Sequence, residues 1–199
     1  MATRTADRAR LAWESLGRLL DSGIEELVRQ EWQEVAVERE KMPLDLDWDQ
    51  YQDMENSGLF RCCVAWRGKK LVGFNSFVTV KGHAHYRSTP HAMNDAIYVM
   101  PEERGVTGLR LILWAEKALR EMLAPRAVRI IYQVKQGLPL WAPEGAVDSL
   151  EAASALMEAE EEFGVRLPDY PPPASGTLGD LLAWLGYKPF ETSYGRFVG

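Results

Sequence analysis

Apolar positions recur at helical spacing through the first forty residues: Leu11, Leu16, Leu19 and Leu20, then Ile24, Leu27, Trp32 and Val35 beyond Ser22-Gly23. The spacing predicts two helices within residues 6–40, broken near Gly23, the first over about 6–21. Pro43 ends the second, and Asp45 to Met54 reads as a short polar helix carrying Trp48 and Tyr51. From Leu59 the period becomes that of a strand. Phe60 to Trp66 and Leu71 to Val80 flank Arg67-Gly68-Lys69-Lys70, which reads as a hairpin turn. A histidine-bearing loop, His83 to His91, leads to a third strand, Asp95 to Val99. The turn Glu103-Arg104-Gly105-Val106-Thr107-Gly108 then opens a helix with an apolar stripe of Leu109, Ile112, Leu113, Leu119 and Leu123, stopped by Pro125. Ala127 to Val134 is β-branched and reads as the next strand. A strand–helix–strand unit of this length implies a parallel pair with a right-handed crossover, so the fold class is mixed α/β.

Residues 137–176 differ in character, with six prolines around one helix at about 149–163. Asp148 or Ser149 can cap that helix, and Gly164 ends it. Leu150, Met157 and Phe163 are its packing positions, and Glu160-Glu161-Glu162 reads as a solvated face. This stretch cannot bury a core alone, so it reads as an insertion in a single domain spanning 1–199. Leu181 to Leu185 is helical, Gly186-Tyr187 turns, and Phe190 to Val198 reads as a last strand.

Composition narrows the class. Hydrophobic residues make up 46% and charged residues 26% of 199, a globular profile that excludes global disorder. The net charge of −6 speaks against a non-specific nucleic-acid coat. The two cysteines, Cys62 and Cys63, are adjacent, so no disulfide framework is implied and a reducing compartment is the simplest reading. Apolar runs are too short to span a bilayer, and Met1 to Arg10 lacks a following apolar segment. The expectation is a cytoplasmic protein with no membrane partner.

The strand ending at Val99, the glycine turn and the helix starting near Thr107 direct backbone amides outward at a helix N-terminus. That geometry binds phosphate without side-chain cations, although glycine also marks ordinary strand–helix junctions. The surrounding segments add context, in this order: Pro43 to Trp48, Leu71-Val72-Gly73-Phe74, His83 to Tyr86, Asp95 to Val99, Pro101 to Gly108, Tyr132 to Lys135, Leu181 to Tyr187 and Tyr194 to Val198. As an ordered set they resemble the GNAT superfamily of acyl-coenzyme A-dependent N-acyltransferases, and more narrowly are similar to GNAT-like proteins encoded by bacteriophages.

The resemblance implies a central mixed, partly antiparallel sheet flanked by helices, with a splayed parallel pair formed by strands 95–99 and 127–134. It implies acetyl-CoA as co-substrate, with Ile97, Tyr98 and Val99 facing the thioester and the amides of Arg104, Gly105, Val106, Thr107 and Gly108 holding the pyrophosphate. The reaction would be transfer of an acetyl group to a primary amine on a small molecule or protein, with an oxyanion stabilised by a backbone amide. The first helix and the 137–176 segment would be additions to the family's fold. The family's turn usually reads Arg or Gln, two residues, Gly, one residue, Gly or Ala. Aligned on Gly108, this chain has Glu103 and Val106 at the Arg/Gln and first Gly positions. Leu182 stands where the family often carries a tyrosine acid.

An attacking amine must lose a proton, so a base is needed. Asp95 at the start of the thioester-facing strand is one candidate, with a capping role as its alternative. His85, beside Tyr86, is a candidate for lining the acceptor pocket, and Glu34 lies on the helix that would cover the acceptor side. His83 and His85 share a face, but no third ligand accompanies them, so no metal is expected. Trp32, Trp66, Trp114 and Trp184 read as packing. Two other functions remain open: a GNAT-like scaffold without catalysis, associating with a virion or with its own copies, and, least favoured by the charge, nucleobase modification.

Overall fold

The structure is a computed structural model that describes residues 8–36, 43–82, 84–132, 149–168 and 177–188. Five strands form one sheet in the order β1 (Arg10–Glu14), β2 (Phe60–Arg67), β3 (Lys70–Val80), β4 (His91–Val99) and β5 (Arg129–Ile131). Neighbours are antiparallel except β4 and β5, which are parallel. Six helices accompany it: α1 (Leu16–Asp21), α2 (Ile24–Val35), α3 (Trp48–Asn56), α4 (Val106–Leu123), α5 (Ser149–Phe163) and α6 (Leu178–Trp184). This is the mixed α/β class that the crossover pattern predicts.

Two adjacent residues of β3 show how the layers lie. Ser76 donates to Asp95, which also accepts from Tyr51 of α3. Asn75 donates to the hydroxyl of Tyr132, whose ring meets Tyr187, which in turn bonds Glu116 of α4. Successive strand residues point to opposite faces, so α3 covers one face and α4 the other. Tyr98, which pairs with Phe74, points to the same face as Ser76, and its hydroxyl reaches Gln30 and Glu34 of α2. With both faces covered, β2 and β3 are buried almost throughout, as their near-continuous apolar sequences require.

The beginning of the chain departs from its leucine spacing. Residues 10–14 are a strand and not part of a helix over 6–21; helix begins only at Leu16. Ser15 caps it, and Glu55 of α3 accepts the Leu16 amide at 2.9 Å. The strand is decided by tertiary pairing: it satisfies the edge of β2 that would otherwise be open. Trp13 then meets Trp114 of α4 edge to face, 5.3 Å between centroids.

β4 starts four residues earlier than its sequence pattern implies and contains a bulge. Ser76 pairs with Ala96 and Phe77 with Asn94, which leaves Asp95 as the extra residue. The parallel ladder to β5 runs only from His91↔Arg129 to Met93↔Ile131, whereas β4 pairs with β3 out to Val99. The expected continuation of β5 to Val134 and the last strand at 190–198 lie outside the described residues.

The helix of the 137–176 segment is docked on α4. Ala159, Phe163 and Leu167 are buried, whereas Met157 is 70% exposed and does not pack as the sequence pattern predicts. The side chain of Leu150 lies outside the described residues. Glu162 is exposed, as expected of that acidic run, yet both its oxygens accept from Arg110 of α4, whose Nη1 also donates to the Ala9 carbonyl. A buried guanidinium needs such a partner. Leu109, Ile112, Leu113 and Leu119 are buried as the stripe predicts, while Leu123 is only half-buried. Among the described residues no helix is long and apolar enough to cross a membrane.

Candidate active site

β4 runs without a break into the turn at 100–105 and so into α4. Gly105 caps the helix with φ 100° and ψ −120°, a conformation that only glycine adopts without strain. Of the five amides in the sequence-derived cradle, Arg104 donates to Pro101 and Gly108 to Gly105. Those of Gly105, Val106 and Thr107 have no acceptor among the described residues, so the cradle is narrower than its sequence reading. Glu103 does not face it: its carboxylate is held by Arg67, and Glu102 by Lys70, both on the β2–β3 hairpin. The two acids are therefore turned away from a place where they would repel an anion.

Arg104 closes one side of the turn. Its Nε donates to the Val99 carbonyl at 3.0 Å, and its guanidinium carbon lies 5.5 Å from the Tyr98 ring centroid. Its Nη2 reaches both oxygens of Glu34. Tyr98 donates to the same carboxylate at 3.2 Å, and burial with Glu34 nearby pushes its hydroxyl up to about 12. Ile97, Tyr98 and Val99 are almost wholly buried. Glu34 and Tyr98 thus meet Arg104, joining three of the sequence-derived site residues across seventy positions.

Asp95 occupies the bulge on this same face. Its Oδ2 accepts from Tyr51 at 3.2 Å and from Ser76 at 3.1 Å. Burial, with the Asp95 charge second, holds the Tyr51 hydroxyl protonated above the ordinary phenol range. Two hydroxyls thus fix the position of this carboxylate on the bulged strand. Tyr51 and Ser76 are site residues the sequence reading passed over. Their signal was present in the polar pairs Asn75-Ser76 and Asn94-Asp95, each interrupting an otherwise buried strand.

The opposite face carries a second polar chain. Asn94 donates to Asn75 and to the carbonyls of Ser76 and Ala96, clamping the bulge. Asn75 donates to Tyr132, and Tyr187 donates to Glu116, which also accepts from Arg120. Burial raises Glu116 above its ordinary value. Leu182 is buried, so α6 presents no hydroxyl at that position; the neighbouring Tyr187 is committed to Glu116. Cys62 and Cys63 are free, buried and on opposite faces, and burial raises both thiols.

His85 is not brought to this site. It lies in the loop before β4 and lines an open groove with Tyr86, Arg87, Ser88, Thr89 and Arg126. His83 lies outside the described residues. Among those described, no cluster of three metal-binding side chains occurs.

No family model matches the chain, and no curated protein matches it. Solved structures similar to it include an aminoglycoside acetyltransferase from an uncultured soil metagenomic sample in complex with sisomicin. It is 14% identical, over 85% of this chain and 96% of that one, with a TM-score of 0.48. A ribosomal-protein-alanine N-acetyltransferase from Brucella melitensis biovar Abortus 2308 is 17% identical over 63% of this chain and 81% of its own, at TM-score 0.44. An aminoglycoside 6'-N-acetyltransferase from Acinetobacter baumannii is 12% identical over 94% and 100%, at TM-score 0.43.

Proposed function

We propose that the protein transfers an acetyl group from acetyl-CoA to a primary amine. The observation that carries this reading is the junction of β4 with α4. There β4 leads through Gly105 into an 18-residue helix, and the amides of Gly105, Val106 and Thr107 have no acceptor among the described residues. Such amides, with the helix dipole behind them, suit a pyrophosphate. In this scheme a pantetheine arm lies along the last residues of β4, whose backbone at the thioester gives an amide to the oxyanion. Asp95 is the base in this scheme, taking the proton of the attacking amine directly or through one water. Tyr51 and Ser76 hold its carboxylate in position, and Glu34 anchors Arg104 beside the cradle.

Calorimetric titration with acetyl-CoA tests the reading. Binding at or below millimolar Kd, about −4 kcal/mol or stronger, is expected, with at least a tenfold loss in Gly105→Val. Absence of heat at 1 mM ligand (roughly that same affinity) overturns it. The second reading, a scaffold without catalysis that associates with a virion or with its own copies, is favoured by one feature: buried Leu182 puts no proton donor at that position of α6. The scaffold predicts no thiol release from acetyl-CoA with any amine.

A further inference from the structure

The two ends of β4 are eight residues apart, roughly 26 Å at about 3.3 Å per residue. At the end away from the cradle, the loop before β4 and the approach to β5 form an open surface groove of about 460 Å³. Among the described residues, His85, Tyr86, Arg87, Ser88, Thr89 and Arg126 line it, and no carboxylate does. That is against the grain of a chain with 29 acidic and 23 basic residues. Arg87 and Arg126 are exposed, and among the described residues neither is paired with an acid. Two guanidiniums without an acidic partner among the described residues create a local positive potential that favours an anion. The Arg129 guanidinium carbon lies 5.9 Å from the Tyr86 ring centroid.

The groove is also preformed. The Thr89 amide donates to the Tyr86 carbonyl at 3.0 Å, and the Arg129 amide to that of Pro90 at 2.9 Å. Gly82 packs so closely on the loop that a Cβ there would lie 2.7 Å from the Arg87 carbonyl oxygen. The Tyr86 ring, flanked by His91 at 5.7 Å, is left 53% exposed.

We propose that this groove binds a nucleoside phosphate, with the phosphate on Arg87 and Arg126 and the base against Tyr86. Guanidinium forks match phosphate oxygens two at a time, the hydroxyls of Ser88 and Thr89 supply further donors, and the volume is of ligand-site size. The phosphate could belong to a free nucleotide or to the end of a single strand. This site is independent of the acetyl-CoA cradle at the other end of β4.

Titration of the full chain with uridine monophosphate, uridine, inorganic phosphate and an eight-nucleotide single-stranded DNA, followed by amide NMR shifts, tests it. The monophosphate should bind at least tenfold more tightly than uridine or phosphate, moving amides of 84–89. Arg87→Ala with Arg126→Ala should abolish that binding, and Tyr86→Ala should reduce it to the level of phosphate. All three side chains are exposed, so the variants should retain the fold, checked by near-ultraviolet circular dichroism. Tighter binding of the oligonucleotide, with a steep salt dependence, identifies a strand as the source; equal or weaker binding identifies a free nucleotide. Monophosphate binding no tighter than phosphate, or unchanged in the double variant, overturns the proposal. Gly105→Val should leave monophosphate binding intact, so failure of the acetyl-CoA reading is separable from failure of this one.

Discussion

The Nη2 of Arg104 donates to both carboxylate oxygens of Glu34, at 2.7 and 2.6 Å, across seventy residues of sequence. The pair ties α2 to the turn that opens α4, and the arginine side chain is only 9% exposed. Glu34→Ala should therefore destabilise the protein by about 1 kcal/mol, between the values of exposed and buried pairs. If Arg104 serves the cradle, the same change frees its guanidinium and should tighten acetyl-CoA binding several-fold. Urea denaturation and calorimetry read the two effects; lower stability with unchanged affinity would confine the pair to a structural role.

Asp95→Asn should lower kcat by roughly 10²–10⁴, the usual range for losing a general base, while the KM for acetyl-CoA stays within about twofold. Tyr51→Phe removes one of two hydroxyls on the carboxylate and should cost less. Release of free thiol from acetyl-CoA in the presence of primary amines measures both. Equal turnover in Asp95→Asn would remove Asp95 from the mechanism.

Arg110→Ala should destabilise the fold by about 3 kcal/mol, because it strips a buried cation from Glu162 and from the Ala9 carbonyl. Glu162→Ala leaves the guanidinium uncompensated and should cost a comparable amount. The double variant should fall well short of the sum, the mark of direct coupling. Additive losses would mean that α5 is held on α4 by its apolar contacts alone.

Glu116 gives a pH signature. Burial raises its carboxyl above the ordinary 4.5, outweighing Tyr187 and Arg120, which act the other way. Below the unfolded value both states hold the proton and no penalty exists. Above it the unfolded chain ionises first, so stability falls as pH rises toward the folded value and levels off beyond it. Glu116→Gln, which still accepts from Tyr187, should remove this loss. Its Tm relative to the unmodified protein should climb from pH 4.5 upward; a pH-independent difference would show that the group does not titrate in this way.

Much of the architecture is local information. The hairpin of β2 and β3, the helix after the glycine turn and the parallel β4–β5 pair follow from alternation, turn residues and crossover geometry, which act over a few residues. The glycine turn was legible for the same reason, since backbone chemistry at a helix N-terminus needs no distant partner. Asp95 and Glu34 could be nominated as carboxylates at suggestive places, but nothing local says what either one touches.

The chain by itself determined which segments are strand or helix wherever their period was strong, and that a strand ends in a glycine turn at the start of a helix. Only the tertiary structure made residues 10–14 a strand, because the open edge of β2 outweighs a leucine spacing that suits a helix. Packing likewise joined Glu162 to Arg110 and turned Glu103 from the cradle onto Arg67, since a charge goes where its partner is. It placed Tyr51 and Ser76 on Asp95 and carried His85 to the far end of β4. Contacts between residues tens of positions apart depend on how layers stack, and a one-dimensional pattern holds no record of that distance.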